Sequence, residues 1–120
     1  MSLYRVTMTI ADPRDTMRTT MPVDALVDTG SELTWMPAAL LEDIGIQRQK
    51  KRSFRTATGQ TLVRDVGYGL VRAEGFETVD EIVFGEASDM TLLGVRTLEG
   101  FGAAVDPLAR RMVATMTIAA

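Results

Sequence analysis

A chain of 120 residues with 46% hydrophobic and 24% charged residues has the make-up of one ordinary globular domain, which disfavours disorder and membrane spanning. It has no cysteine, no histidine and a formal net charge of -3, which excludes disulfides, His-activated nucleophiles and thiolate or imidazole metal ligands and leaves no basic footprint for nucleic acid. The longest apolar stretches fall far short of a bilayer span and the alternating start Met1-Ser2-Leu3-Tyr4-Arg5 is not a signal peptide, so the expected setting is cytoplasmic with no membrane partner.

In chain order, Tyr4, Val6, Met8 and Ile10 alternate with Arg5, Thr7 and Thr9, the period of a half-buried strand. Asp12-Pro13-Arg14-Asp15 breaks it, residues 16–20 supply a return strand, and the apolar run 23–27 is short enough to be buried on both faces. Residues 37–44, with Pro at the first turn and Gly45 past the end, read as a short helix with Leu40, Leu41 and Ile44 on its apolar side. Residues 47–55 carry Arg48, Lys50, Lys51, Arg52 and Arg55, and in an acidic chain they read as a solvated loop or edge strand in preference to an anion or substrate patch. Small and polar residues around Gly59, namely Thr56, Ala57, Thr58, Gln60 and Thr61, predict a hairpin tip.

Residues 62–72, a turn at Glu74-Gly75 and residues 77–84 predict a hairpin of longer strands, in which Gly67 and Gly69 mark a bend or a close backbone approach. Leu92-Leu93-Gly94 then leads into a short helix over 95–101, Asp106-Pro107 makes a turn, and residues 112–118 alternate as a final strand. Strands dominate, with two short helices, so the expected fold class is all-β, a small closed or sandwiched barrel.

The stretch that carries chemistry is Leu26-Val27-Asp28-Thr29-Gly30-Ser31, a carboxylate on a tight turn where an apolar strand ends. Such a group is poorly placed for packing and well placed for reaction. With Ala25-Leu26-Val27 before it, Trp35 seven positions after Asp28 and Pro37 nine after it, this segment resembles the active-site segment of aspartic proteases of the pepsin and retropepsin clan. Leu92-Leu93-Gly94 resembles the apolar-apolar-Gly element that, in that family, packs beneath the catalytic turn and leads into a short helix. Residues 53–62 stand where the family has its flap hairpin.

The resemblance implies a single retropepsin-like domain over residues 1–120, an all-β, small closed acid-protease barrel with one or two short helices, acting as an aspartic endopeptidase without metal or other cofactor. Single-lobed members act as homodimers in which each chain gives one aspartate. One Asp-Thr-Gly in a short chain matches that form, because neither Asp24 nor Asp65 is followed by Thr-Gly or Ser-Gly. The implied partners are a second copy and a peptide or protein substrate. By the same resemblance Asp28 is catalytic, the Thr29 hydroxyl bonds across the dimer, Gly30 lets a backbone amide approach the carboxylate, and Ser31 donates to the outer Asp28 oxygen. Thr56, Ala57, Thr58, Gly59 and Gln60 form the substrate flap, and Leu92, Leu93 and Gly94 support the turn from beneath. Trp35 is expected to pack in the core in preference to touching substrate.

Two other readings stand beside this one. A catalytically inactive member of the fold, serving as a dimeric binding or scaffolding module, keeps the architecture and loses the reaction; the tip has no flap Tyr of the pepsin kind and is poorer in Gly than a retropepsin flap. A phosphate-binding Asp-x-Gly loop with Thr34 in the cradle requires two larger lobes and several phosphate loops, against which the chain length argues.

Overall fold

The computed structural model describes residues 2–119. The elements are β1 (Ser2–Asp12), β2 (Asp15–Thr19), β3 (Val23–Asp28), β4 (Thr34–Pro37), α1 (Ala38–Asp43), β5 (Lys50–Arg55), β6 (Thr61–Ala73), β7 (Phe76–Gly85), β8 (Leu92–Leu93), α2 (Val95–Phe101), β9 (Ala103–Asp106) and β10 (Arg111–Ala114). The main sheet runs β2-β1-β3-β8-β4-β7-β6-β5, and a further β1–β6 pairing closes β1, β3, β8, β4, β7 and β6 into a ring. Closure removes the exposed edges that an open sheet leaves; β2 and β5 flank the ring. The pairs β3–β8 and β4–β7 are parallel.

Alternation along β1 sends Tyr4, Val6, Met8 and Ile10 inward, where they meet Ala25, Val27, Met36, Val71, Ile82, Phe84, Leu93 and Leu98. The expectation that β3 is buried on both faces is corrected by its alternating pattern: Ala25 and Val27 are buried, Asp24 is exposed and Leu26 is half-buried. One face packs inside the ring; the other looks outward.

The longest strand changes partner midway. β6 pairs with β5 from Thr61 to Val66 and with β1 from Leu70 to Ala73, so the corner falls at Gly67 and Gly69. A Cβ on Gly67 would stand 2.5 Å from the Gln47 carbonyl oxygen, and one on Gly69 would stand 2.5 Å from Ile10 Cγ2. The two glycines therefore mark the close approach expected of them. The β6–β7 turn has positive φ at both Glu74 and Gly75, 50° and 84°, which suits the right-handed twist of a hairpin.

Three boundaries differ from the sequence expectation. Pro37 closes β4 and caps α1 from outside its first turn, so the helix begins at Ala38. β4 is only four residues long, too short for alternation to announce it. The predicted strand over 112–118 is cut to Arg111–Ala114, because its partner β9 ends the ladder at Ala103, directly after α2. Beyond it the Thr115 N–H donates to the Gly102 carbonyl at 2.7 Å, while Met116 and Ile118 are exposed.

Replacing Gly67 by Ala forces the Gln47 carbonyl and the Phe84 ring to move, and is expected to cost about 1–3 kcal/mol by urea denaturation. Val63→Thr on the exposed side of β6 is expected to stay within about 0.5 kcal/mol.

Candidate active site

Asp28 ends β3, and the chain turns at once. The Gly30 N–H donates to Asp28 Oδ1 at 2.9 Å and the Ser31 N–H to the Asp28 carbonyl at 3.1 Å, which fixes both the carboxylate and the turn. Asp28 is half-buried, and Thr29 and Gly30 are exposed. The Ser31 hydroxyl donates to the Leu33 carbonyl at 2.8 Å, a correction to its expected role on Asp28, because its single proton is spent on the chain folding back beneath it.

Leu92, Leu93 and Gly94 run alongside β3 and lead into α2. Leu26 and Val27 pair with Leu92 and Leu93, and the Leu26 N–H donates to the Thr91 carbonyl at 3.0 Å. α2 has no side-chain cap at its start. Its first two amides instead donate to the turn, Val95 N–H to the Ser31 carbonyl at 2.8 Å and Arg96 N–H to the Glu32 carbonyl at 3.1 Å. Gly94 makes the approach feasible, since any Cβ there would collide with the Leu33 and Glu32 carbonyls.

Sequence reading missed the polar chain behind this contact. Gly94 N–H donates to Thr34 Oγ1 at 3.0 Å, Thr34 and Thr97 share a hydrogen bond of 2.6 Å, and Thr97 donates to Asp80 Oδ2 at 3.0 Å. Each hydroxyl has one proton, so the order is fixed: Thr97 gives its proton to Asp80 and therefore accepts from Thr34. Thr34 and Thr97 are fully buried, so Thr34 has no hydroxyl to offer a phosphate. The one local signal was the hydroxyl residue six positions after Asp28; its partners lie far along the chain.

The predicted tip is a hairpin between β5 and β6. Thr56 N–H donates to the Gln60 carbonyl at 2.8 Å and Gly59 N–H to the Thr56 carbonyl at 3.0 Å, with Gly59 at φ 86° and residues 57–60 exposed. At its base Phe54 meets Trp35 with ring centroids 5.0 Å apart, and both rings pack on buried Leu33, Val66 and Val83. Trp35 is thus a half-buried packing residue, as expected.

The basic stretch before the tip is an edge strand whose charges are mostly paired. Arg48 binds Asp65 and Glu42 at 2.8 and 2.6 Å and lies 4.7 Å from the Phe84 ring centroid, and Lys51 binds Asp65 at 2.9 Å. Arg52 grips Glu81 through Nε and Nη2 at 2.9 and 3.1 Å, and Arg64 grips Asp89 in the same way at 2.7 and 3.0 Å. The hydrogen bonds from Arg64 hold the Asp89 carboxyl below its ordinary value against the opposing effect of burial. Burial pushes Glu81 up, but Arg52, Lys50 and Arg96 together bring it below its ordinary value. Among the described residues, no group of three or more Asp or Glu side chains is arranged to hold a metal ion.

A family profile described as "gag-polyprotein putative aspartyl protease" matches residues 16–100. Among solved structures, the simian foamy virus (mac) protease in solution is 22% identical with a TM-score of 0.53, over 80% of this chain and 92% of that one. The EIAV protease complexed with the inhibitor HBY-793 is 18% identical with a TM-score of 0.55, over 86% of this chain and 91% of that one. These identities bear on the fold alone. No curated protein matches in sequence.

Thr34→Val is expected to cost about 1–3 kcal/mol in urea denaturation, because it strands the buried Gly94 N–H and removes the proton that Thr97 Oγ1 accepts; Thr34→Ser, which keeps the hydroxyl, loses less. Asp89 has a folded pKa below its ordinary 3.8, so the folded chain holds fewer protons than the unfolded one as the pH falls through that value. The stability that Asp89 contributes is complete above this range and lost as pH falls through the lower folded value. Unfolding midpoints measured at neutral and acid pH are expected to fall less in Asp89→Asn than in the parent chain.

Proposed function

We propose, because this chain belongs to the gag-polyprotein aspartyl protease family, that it is an active aspartic endopeptidase working as a homodimer, in which each chain contributes Asp28 to one shared site. Retropepsin-like proteases typically act as dimers on peptide substrates. On this reading residues 1–120 act as one protease domain, with a peptide or protein as substrate and the cytoplasm as setting. Among the described residues no helix is long and apolar enough to cross a membrane.

The observation that carries the reading is the fixed carboxylate. Asp28 stands at a strand end, bonded by the Gly30 N–H, on a turn whose carbonyls are pinned by α2. Chemistry of this kind depends on a preset geometry, since a carboxylate that wanders cannot be paired reliably with a second one. Thr29 is exposed beside it, which supports a role for its hydroxyl in bonding across a dimer.

Two carboxylates brought within a few ångströms cannot both ionise cheaply, so the pair holds one proton over a wide pH range. Aspartic proteases are themselves the standard instance of this sharing. Asp28 in its ionised form takes a proton from a bridging water as that water attacks the scissile carbonyl. The partner's Asp28, protonated, gives its proton to the carbonyl oxygen. The tetrahedral intermediate then collapses as a proton passes to the leaving amine and the C–N bond breaks. An extended peptide lies beneath the tips 56–60, bound by main-chain hydrogen bonds and side-chain pockets.

Asp28→Asn is expected to lower peptide cleavage by about a thousandfold or more, measured on pure protein with a peptide library, while leaving the fold intact by circular dichroism. A statine-type inhibitor, a mimic of the tetrahedral intermediate, is expected to raise the melting temperature of the parent chain, and sedimentation is expected to give a dimer under assay conditions. A dimer that cleaves nothing and gains no thermal stability from the inhibitor is instead the inactive binding module. A monomer that cleaves peptides refutes the shared site.

A further inference from the structure

The two arms of the flap hairpin each carry an arginine at the same level. Arg52 of β5 lies directly opposite Arg64 of β6 in the ladder. Like charges at facing positions repel, so each needs a counter-charge of its own. Neither counter-charge belongs to the hairpin tip or its arms: Arg52 forks onto Glu81 of β7, and Arg64 forks onto Asp89 in the connection between β7 and β8. The Glu81 and Asp89 side chains are only 8% and 11% exposed, which sets these pairs apart from ordinary surface ion pairs of little energetic consequence.

Both acids connect onward to the support of the Asp28 turn. Arg96 Nη1 approaches Glu81 Oε1 at 3.6 Å, and the Arg96 amide is one of the two that hold the turn, bonded to the Glu32 carbonyl. Asp89 accepts the Glu86 N–H at 2.8 Å and lies just before β8, which pairs with β3 beneath Asp28. The Phe54–Trp35 contact and buried Leu33 join the same two parts of the molecule.

We propose that Arg52 and Arg64 are positioning residues for the cleavage reaction: their two forks clamp the flap arms to the scaffold of the catalytic turn, so that residues 53–63 are the part that moves over substrate. This rests on the flap reading given above. Arginine suits the task because its planar fork fixes direction as well as distance, which the point charge of lysine does not.

The test compares the full chain with Arg52→Met, Arg64→Met and Arg64→Lys, which keeps the charge and removes the fork while leaving Asp89 to accept the Glu86 N–H. Hydrogen exchange at residues 53–63 is expected to quicken about tenfold in each Met variant while β1 and β3 stay protected, and Arg64→Lys is expected to keep part of the protection that Arg64→Met loses. In peptide cleavage, KM is expected to rise about tenfold with kcat less affected, since the carboxylates themselves are untouched. Unchanged exchange and unchanged KM in both Met variants overturn the clamp. So does a uniform loss of protection that includes β1 and β3 and is equal in Arg64→Lys and Arg64→Met, which is the signature of a merely structural role. If the parent chain cleaves no peptide, the protease reading has failed, and the exchange at 53–63 decides the clamp by itself.

Discussion

Everything around Asp28 depends on how closely the start of α2 can approach the turn that follows β3. At Gly94 a Cβ would occupy the space of the Leu33 and Glu32 carbonyls. With that space open, the first amides of an uncapped helix meet the carbonyls of Ser31 and Glu32, and two sets of backbone groups that would otherwise need water satisfy each other. The hydroxyls of Thr34 and Thr97 extend the contact to Asp80 on β7, so the turn, the helix and the ring of strands are joined by one directed series of hydrogen bonds. Such a buried series is rigid when complete and costly when any member is lost.

The ring supplies the frame for that contact. β8 runs parallel to β3, and a parallel neighbour has to be delivered by a long excursion of the chain; here the excursion contains β4, α1 and the β5–β6–β7 meander. β6 pairs with β5 along one half and β1 along the other, and Gly67 and Gly69 let the change occur against the Gln47 carbonyl and Ile10. The hairpin that bears residues 56–60 is therefore an outgrowth of a ring strand and shares its small apolar cluster with the end of the turn.

Charge is used in the same economical way. The basic run 47–55 reads along the chain as a solvated loop or edge strand, and Arg48, Lys51 and Arg52 in it are each matched with Asp or Glu from other elements. Exposed members such as Lys51 serve chiefly to keep an edge strand from pairing with other chains. The forked pairs to Glu81 and Asp89 are more enclosed, and burial makes their orientation consequential.

Much of this was legible along the chain. The alternation of Tyr4, Val6, Met8 and Ile10, the turns at Asp12-Pro13 and Glu74-Gly75, the α2 span and the Gly67 and Gly69 corner are local properties, and residues within a few positions of one another determine them. So is the turn that presents Asp28. The short strands β4 and β9 and the early end of β10 were not legible, because each is a strand only by virtue of the neighbour it finds. The direction of the Ser31 hydroxyl, the Thr34–Thr97–Asp80 series and the acids that hold Arg52 and Arg64 also waited on the tertiary structure. Hydrogen bonds and ion pairs reach a few ångströms in space and take no account of distance along the chain. The sequence by itself therefore determined which residue types stand at each strand and turn, and folding alone decided which of them meet.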